Sequence, residues 1–307
     1  MPAPTRRRAP ARLAACLALG VLAAAAPGCA GFSFFGGGGP SYATTAKGNY
    51  EKGLLEMKRK NWPEAIKLFQ YAKSKFSFSK YAALSELGIA EAELGRERYA
   101  EGIDGLRGFI KAHPTHEMVV DGYAAYRIGE AYHKEIPSEW FLVPPAYEKD
   151  QGPVRDALRE LSAFLAEYPD SPHADKARKL EEDCVRRLAD HELYVADFYL
   201  KKKRPQAAIA RLEGLAHGDF LPKLPAESGV ATGRLGQVAH DYLRTHLEAR
   251  VLLQLAHTQL AMKNYDEAKA SCDQIVAGHA EEKQARPARE LLIEIQRRQA
   301  LDPAAKK

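Results

Sequence analysis

Cysteine, methionine and tryptophan are scarce in this 307-residue chain, at four, four and two residues. No two cysteines form a Cys-x-x-Cys pair, which removes zinc-ribbon and thiol-redox motifs. The chain also lacks a Gly-x-Ser-x-Gly elbow, a dinucleotide fingerprint and a glycine loop followed by Lys-Ser/Thr. His191-Glu192 starts like a zincin helix but has no second histidine, and His113-Pro114-Thr115-His116 offers two imidazoles without a third ligand. No catalytic set, metal or other cofactor is therefore expected. A clustered basic face is missing as well, so nucleic acid is not an expected partner. The one dense cationic run, Lys201-Lys202-Lys203-Arg204, falls where a helix should end and complements its dipole.

Long apolar runs are limited to one, Leu13 to Ala26, preceded by Arg6, Arg7, Arg8 and Arg12 in the manner of a secretory signal. As a helix it spans only about 21 Å, short of a ~30 Å hydrocarbon core, so cleavage is expected. Ala26-Pro27-Gly28-Cys29 resembles a bacterial lipobox; the alternative is an ordinary signal followed by a plain cysteine. Residues 1–28 are thus read as a lipoprotein signal peptide and Cys29 as the lipidation site, its covalent lipid being the one attached group expected. Residues 29–44, containing Gly36-Gly37-Gly38-Gly39, read as the lipidated N-terminus and a flexible tether. By analogy with enterobacterial lipoproteins, Ala30 after the cysteine implies the periplasmic face of the outer membrane. Cleavage removes four arginines and no acid, taking the formal charge from +5 to +1. Cys184 and Cys272 then remain; they fall in different repeats and suit buried small positions on helix faces better than a disulfide.

What the chain does have is a repeating helical pattern. Ile128-Gly129-x-x-Tyr132, then Ala157-x-x-x-Leu161-x-x-Phe164, then Pro169 follows the tetratricopeptide order of small and large positions closed by a proline. The same frame appears at Tyr50-x-x-Gly53 with Ala65 and Phe69, and at Leu87-Gly88 with Gly102, Leu106 and Phe109. A fourth unit has a long helix from His173 to Lys203, with Arg211 at an aromatic position. A fifth has Leu255-Ala256, Tyr265 and Ala268, with Cys272 at the aromatic position. The expected fold is all-α, a tetratricopeptide-like α-solenoid of about five helix-turn-helix repeats. Repeats 1–4 are placed at 45–218, a linker or loop at 219–240 and a C-terminal repeat with a capping helix at 241–307.

Such a stack presents a groove, so a binding scaffold is expected rather than an enzyme. With Gly53, Gly88 and Gly129 at position 8 of the repeat, groove-facing positions are Lys47, Tyr50, Leu54 and Met57, then Ala82, Ser85, Ile89 and Ala92, then Tyr123, Tyr126, Glu130 and His133. Tyrosines among small residues suit an extended peptide carrying aromatic side chains. The third repeat also holds an insertion over 136–153, whose Trp140, Phe141 and Tyr147 read either as a plug on their own repeat or as a docking loop.

From about Lys47 to Asp219 the chain resembles the BamD family, the tetratricopeptide lipoproteins of the β-barrel assembly machinery. The resemblance rests on Phe76-Ser77-Phe78-Ser79-x-Tyr81-Ala82, Phe109-Ile110-x-x-His113-Pro114-Thr115-His116, Tyr126-x-x-Gly129, Tyr168-Pro169-Asp170-Ser171-Pro172-x-Ala174 and Leu188-Ala189-x-x-Glu192. Ser77 departs from the family's usual proline, and 218–236 lacks its Tyr-Pro turn. The resemblance implies a lipid-anchored periplasmic scaffold that binds C-terminal segments of unfolded outer-membrane proteins with its N-terminal repeats and a BamA-like barrel protein with its C-terminal part. The alternative reading is a tetratricopeptide lipoprotein serving as pilotin for a pilus or secretion secretin, or in envelope maintenance.

Overall fold

The first two repeats are joined by one ring caught between two glycines. Phe69 is fully buried, and a Cβ on Gly53 or on Gly88 would come within 2.4 or 2.8 Å of its ring. Glycine at both positions lets three helices close on a single aromatic side chain. In the computed structural model, which describes residues 41–137, 145–222 and 229–302, these helices are α1 (Ala46–Lys58), α2 (Trp62–Lys75) and α3 (Lys80–Gly95). The expectations that fall on the first forty residues, namely signal peptide, Cys29 and glycine tether, lie outside the described residues, as do Trp140 and Phe141.

The pairing continues with α4 (Tyr99–Ala112), a short α5 (Glu117–Val120), α6 (Tyr123–Glu135) and α7 (Gly152–Glu167). Then come α8 (Ala174–Lys201), α9 (Pro205–Ala216), α10 (Gly229–Tyr242), α11 (Glu248–Ala261), α12 (Tyr265–Gly278) and α13 (Ala285–Leu301). Pairs α1/α2, α3/α4, α6/α7, α8/α9 and α11/α12 make five helix-turn-helix repeats, each packed on the next, and α13 closes the stack against α12. The fold is therefore the all-α tetratricopeptide-like solenoid that the pattern predicts.

One turn recurs in four of the five repeats. Lys60, Glu97, Lys203 and Lys263 adopt φ of 59°, 62°, 57° and 67° just after the first helix of repeats 1, 2, 4 and 5. The next residue donates its N–H back across the helix end, as from Asn61 to Glu56 O at 2.9 Å and from Asn264 to Gln259 O at 2.9 Å. This is the left-handed cap that satisfies terminal carbonyls and reverses the chain, here without the usual glycine. The third repeat carries its insertion in place of that turn.

The stretch 219–240 departs from expectation. It is not a linker throughout: Gly229–Tyr242 is helical and runs through a π-turn, Leu243–Leu247, straight into α11. Thr245 Oγ1 donates to the Asp241 and Tyr242 carbonyls, meeting acceptors that the widened turn exposes. Gly229, Gly233 and Gly236 suggested a loop, but Ala239, Leu243 and Leu247 recur at helical spacing and are buried in the core with α7 and α8. Burial of that stripe outweighs the poor helix propensity of glycine, about 1 kcal/mol per residue.

Cys184 and Cys272 are both free and fully buried. Arg211, at its aromatic position on α9, reaches back to α8 and pairs with Glu192 at 3.1 Å.

Candidate functional site

The described groove crosses the first three repeats and opens a cavity of about 580 Å³. Its wall begins on α1, where Tyr50, Leu54 and Met57 share one face because they lie four and three residues apart. From α3 come Leu84, Leu87, Gly88 and Glu91; the turn and α5 add Met118 and Asp121. Tyr123 from α6 and the Pro172-His173 corner before α8 close the far side. Gly88 thus serves twice, admitting the Phe69 ring on one side and keeping the groove floor low on the other.

A buried polar cluster supports the Tyr123 side. Arg127 pairs with Glu91 across α3 and α6, its Nε donating to Glu91 Oε1 at 2.7 Å, and it pairs with Glu130 one turn along its own helix. Tyr123 donates its hydroxyl to Glu91 Oε1 at 3.0 Å, and Tyr126 donates to Glu130 Oε1 at 2.9 Å. Lys134 adds a contact to Glu130 at 3.2 Å. Burial would raise the Glu130 carboxyl, but the Arg127 charge, the Tyr126 hydroxyl and Lys134 together hold it below its usual range. Tyr126 is pushed up to about 12, by burial first and then by donation to Glu130; Tyr123 is raised further by burial and Glu91. Both phenols therefore stay protonated donors at neutral pH, and both tyrosine rings are fixed in place by what their oxygens bind.

Of the groove positions placed from the sequence, Tyr50, Leu54, Met57 and Tyr123 do line the cavity. Ser85 does not: it is fully buried, with Oγ donating to the Tyr81 carbonyl of its own helix at 2.6 Å. Tyr126 is also withdrawn, only 5% exposed, its ring stacked on His173 at 5.0 Å and packed 5.9 Å from Phe164. Glu130 is spent in the polar cluster, and His133 faces the other way, with Nε2 at 2.9 Å from Asp183 on α8. Ile89 is half-buried beside Gly88 and does not line the cavity. The described part of the insertion folds onto α8, with the Tyr147 ring 5.3 Å from Tyr194 and the Tyr147 carbonyl accepting from His191 Nδ1 at 2.6 Å. Tyr147 itself stays 37% exposed.

Sequence reasoning missed Glu91, Arg127, Met118, Asp121 and His173. The Arg127-x-x-Glu130 spacing is a readable helical ion pair, but its third member comes from another repeat. Met118, Asp121 and His173 lie on turns and a short helix that the repeat frame does not index. His173 Nδ1 is buried without a hydrogen-bond partner among the described residues. Those residues also hold no group of histidines, cysteines and carboxylates suited to a metal ion, and no helix long and apolar enough to cross a membrane.

Comparison with known proteins places this architecture. The family described as outer membrane lipoprotein, YfiO, matches residues 42–220, more than half of the chain. An outer membrane protein assembly factor BamD from Vibrio cholerae is 27% identical over 169 residues, covering 54% of this chain and 69% of that protein. The Caulobacter vibrioides BamD is 28% identical over 167 residues, covering 54% and 51%, and a Neisseria meningitidis BamD is 25% identical over 166 residues, covering 53% and 61%. The chain thus spans about half to two-thirds of the length of these curated relatives. A solved chain of the TPR2AB-domain:pHSP90-complex of yeast Sti1 aligns with a TM-score of 0.36 and 18% identity over 82% of this chain and 98% of its own, too loosely to add to the fold described above. On the family match, the chain belongs to the YfiO family of outer membrane lipoproteins.

Proposed function

We propose that this protein is a non-enzymatic scaffold of outer-membrane protein assembly, working at the periplasmic face of the outer membrane. The observation that carries the reading is the groove of the first three repeats, walled by Tyr50, Leu54, Met57, Leu84, Met118 and Tyr123 in a chain of this family. Apolar and aromatic surface in a shallow channel suits an extended segment whose side chains alternate, as in an unfolded β-strand. Methionines adapt to varied shapes, and tyrosine offers area at little conformational cost. The clients on this reading are unfolded outer-membrane proteins, their C-terminal segments among them. The C-terminal repeats serve a BamA-like barrel protein that folds and inserts those clients. A lipid on Cys29 holds the scaffold at the membrane, and residues 29–44 give it reach.

The test is a pull-down from detergent-solubilised outer membranes with the mature protein as bait, beside the variant Leu54→Glu/Met57→Glu. Both positions face the cavity and not the core, so folding is retained while two charges enter the channel. The expected result is a BamA-like barrel retained by both baits and precursors of outer-membrane proteins lost from the variant. Recovery of a secretin with no barrel-assembly protein refutes the reading. Intact mass of the mature N-terminus, with a diacylglycerol on Cys29, checks the anchor.

A further inference from the structure

The charges along the groove are one-sided. Its lining includes two carboxylates, Glu91 and Asp121, and no lysine or arginine. Glu91 is neutralised from behind by Arg127 and Tyr123. Asp121 is exposed, and its side chain has no ion pair or hydrogen bond among the described residues; only its backbone is engaged, the carbonyl accepting from Ser171 Oγ at 2.7 Å. Arg127, behind Glu91, is saturated by Glu91 and Glu130. A chain-terminal carboxylate entering this channel would meet apolar walls and one uncompensated negative charge.

From this charge pattern we infer that the groove recognises the side chains of an apolar, aromatic segment and discriminates against a free C-terminal carboxylate, with Asp121 as the specificity-determining residue. The inference rests on the peptide-binding reading above. The occupant is therefore a neutral or cationic stretch of polypeptide, and a client's last residues enter only so far as their carboxylate stays outside the lip. Electrostatic complementarity of this kind sets preference more than total affinity.

The probe is an N-acetylated, dye-labelled ten-residue peptide of alternating aromatic and aliphatic residues ending in Phe, made as the free acid and as the C-terminal amide. Binding to the mature protein is read by fluorescence anisotropy at pH 8. The amide is expected to bind about threefold to tenfold more tightly than the acid, the range given by one like charge at groove distances in a partly wet site. Asp121→Asn should bring the two affinities together, and Asp121→Lys should reverse their order. Asp121 is a surface turn residue, so the variants' circular dichroism and melting should match wild type. Equal affinities in the wild type, tighter binding of the acid, or a preference unchanged by Asp121→Asn overturns the inference while leaving the peptide groove in place. If neither peptide binds, the reading of the groove itself fails, and the inference with it.

Discussion

Replacing Arg127 with methionine should test the groove's foundation, because it keeps much of the side chain's length and removes only the charge and its donors. Arg127, Glu91 and Glu130 have side chains 17%, 16% and 20% exposed, so the cluster is largely shielded from water. Removing one partner from a buried charge pair costs about 3–5 kcal/mol. The Tyr123 and Tyr126 hydroxyls and Lys134 remain to contact the two carboxylates, which places the expected loss at the lower end, about 3 kcal/mol. The sign of the pH dependence follows from Glu130. In the wild type its folded pKa is depressed, so its stabilising contribution is full above the unfolded value near ~4.3 and is lost as pH falls through the lower folded value. In Arg127→Met the main cation is gone, and burial, the largest influence on Glu130, raises its carboxyl in the folded state. That state is then penalised above the raised pKa, and the penalty fades as pH falls towards it. Urea unfolding followed by circular dichroism should therefore show a stability loss at pH 7 that is clearly smaller at pH 5. A loss under about 1 kcal/mol at pH 7, or one unchanged at pH 5, would refute the view that the cluster joins α3 to α6 through charge.

The same substitution should act with opposite sign at two glycines. Gly53→Ala puts a Cβ 2.4 Å from a Phe69 ring that Gly88 pins from the other side, so overpacking exceeds the propensity gain and about 1–2 kcal/mol is lost; Gly108→Ala meets nothing within 4 Å and should gain about 0.5–1 kcal/mol. Hydrogen exchange of the α1–α3 amides reads the first and α4 amides the second, and equal signs at both sites would sink the packing argument. At the recurring left-handed turns, Lys60→Gly and Glu97→Gly should each stabilise by about 1 kcal/mol in thermal melts, since only the non-glycine residue carries Cβ strain there. Burial pushes the Cys184 thiol up strongly and the Cys272 thiol up to about 11, so neither should react with a disulfide reagent at pH 8 until urea unfolds the repeats.

The number of repeats and the repeat positions of Gly53, Phe69 and Gly88 were legible in the sequence because they depend on short, periodic spacings. That the Phe69 ring fills the space against both glycines is what the packing of α1, α2 and α3 adds. The α1 wall, Tyr50, Leu54 and Met57, followed from the same spacing. The repeat register failed where neighbouring helices decide which side of a residue is open. Ser85 and Tyr126 have groove-facing numbers, yet the first is fully buried and the His173 ring covers the second. Glycine content likewise misled at 229–240, where a stripe of apolar residues gains more from burial against α7 and α8 than the glycines lose in backbone entropy.

The sequence by itself determined the all-α class, the five helix pairs, the absence of catalytic motifs and the residues of the first groove wall, since each depends on local period or local chemistry. Only the tertiary structure decided that Arg127 would hold Glu91 and Glu130 together, that Asp121 would stand unpaired at the lip, and that α10 would continue into α11. Glu91 and Arg127 are 36 residues apart, and all three outcomes depend on burial and on which groups neighbouring helices bring across the gap. Local spacing shows that Arg127 can reach Glu130, but not what packs over the pair or which residue of another repeat completes it.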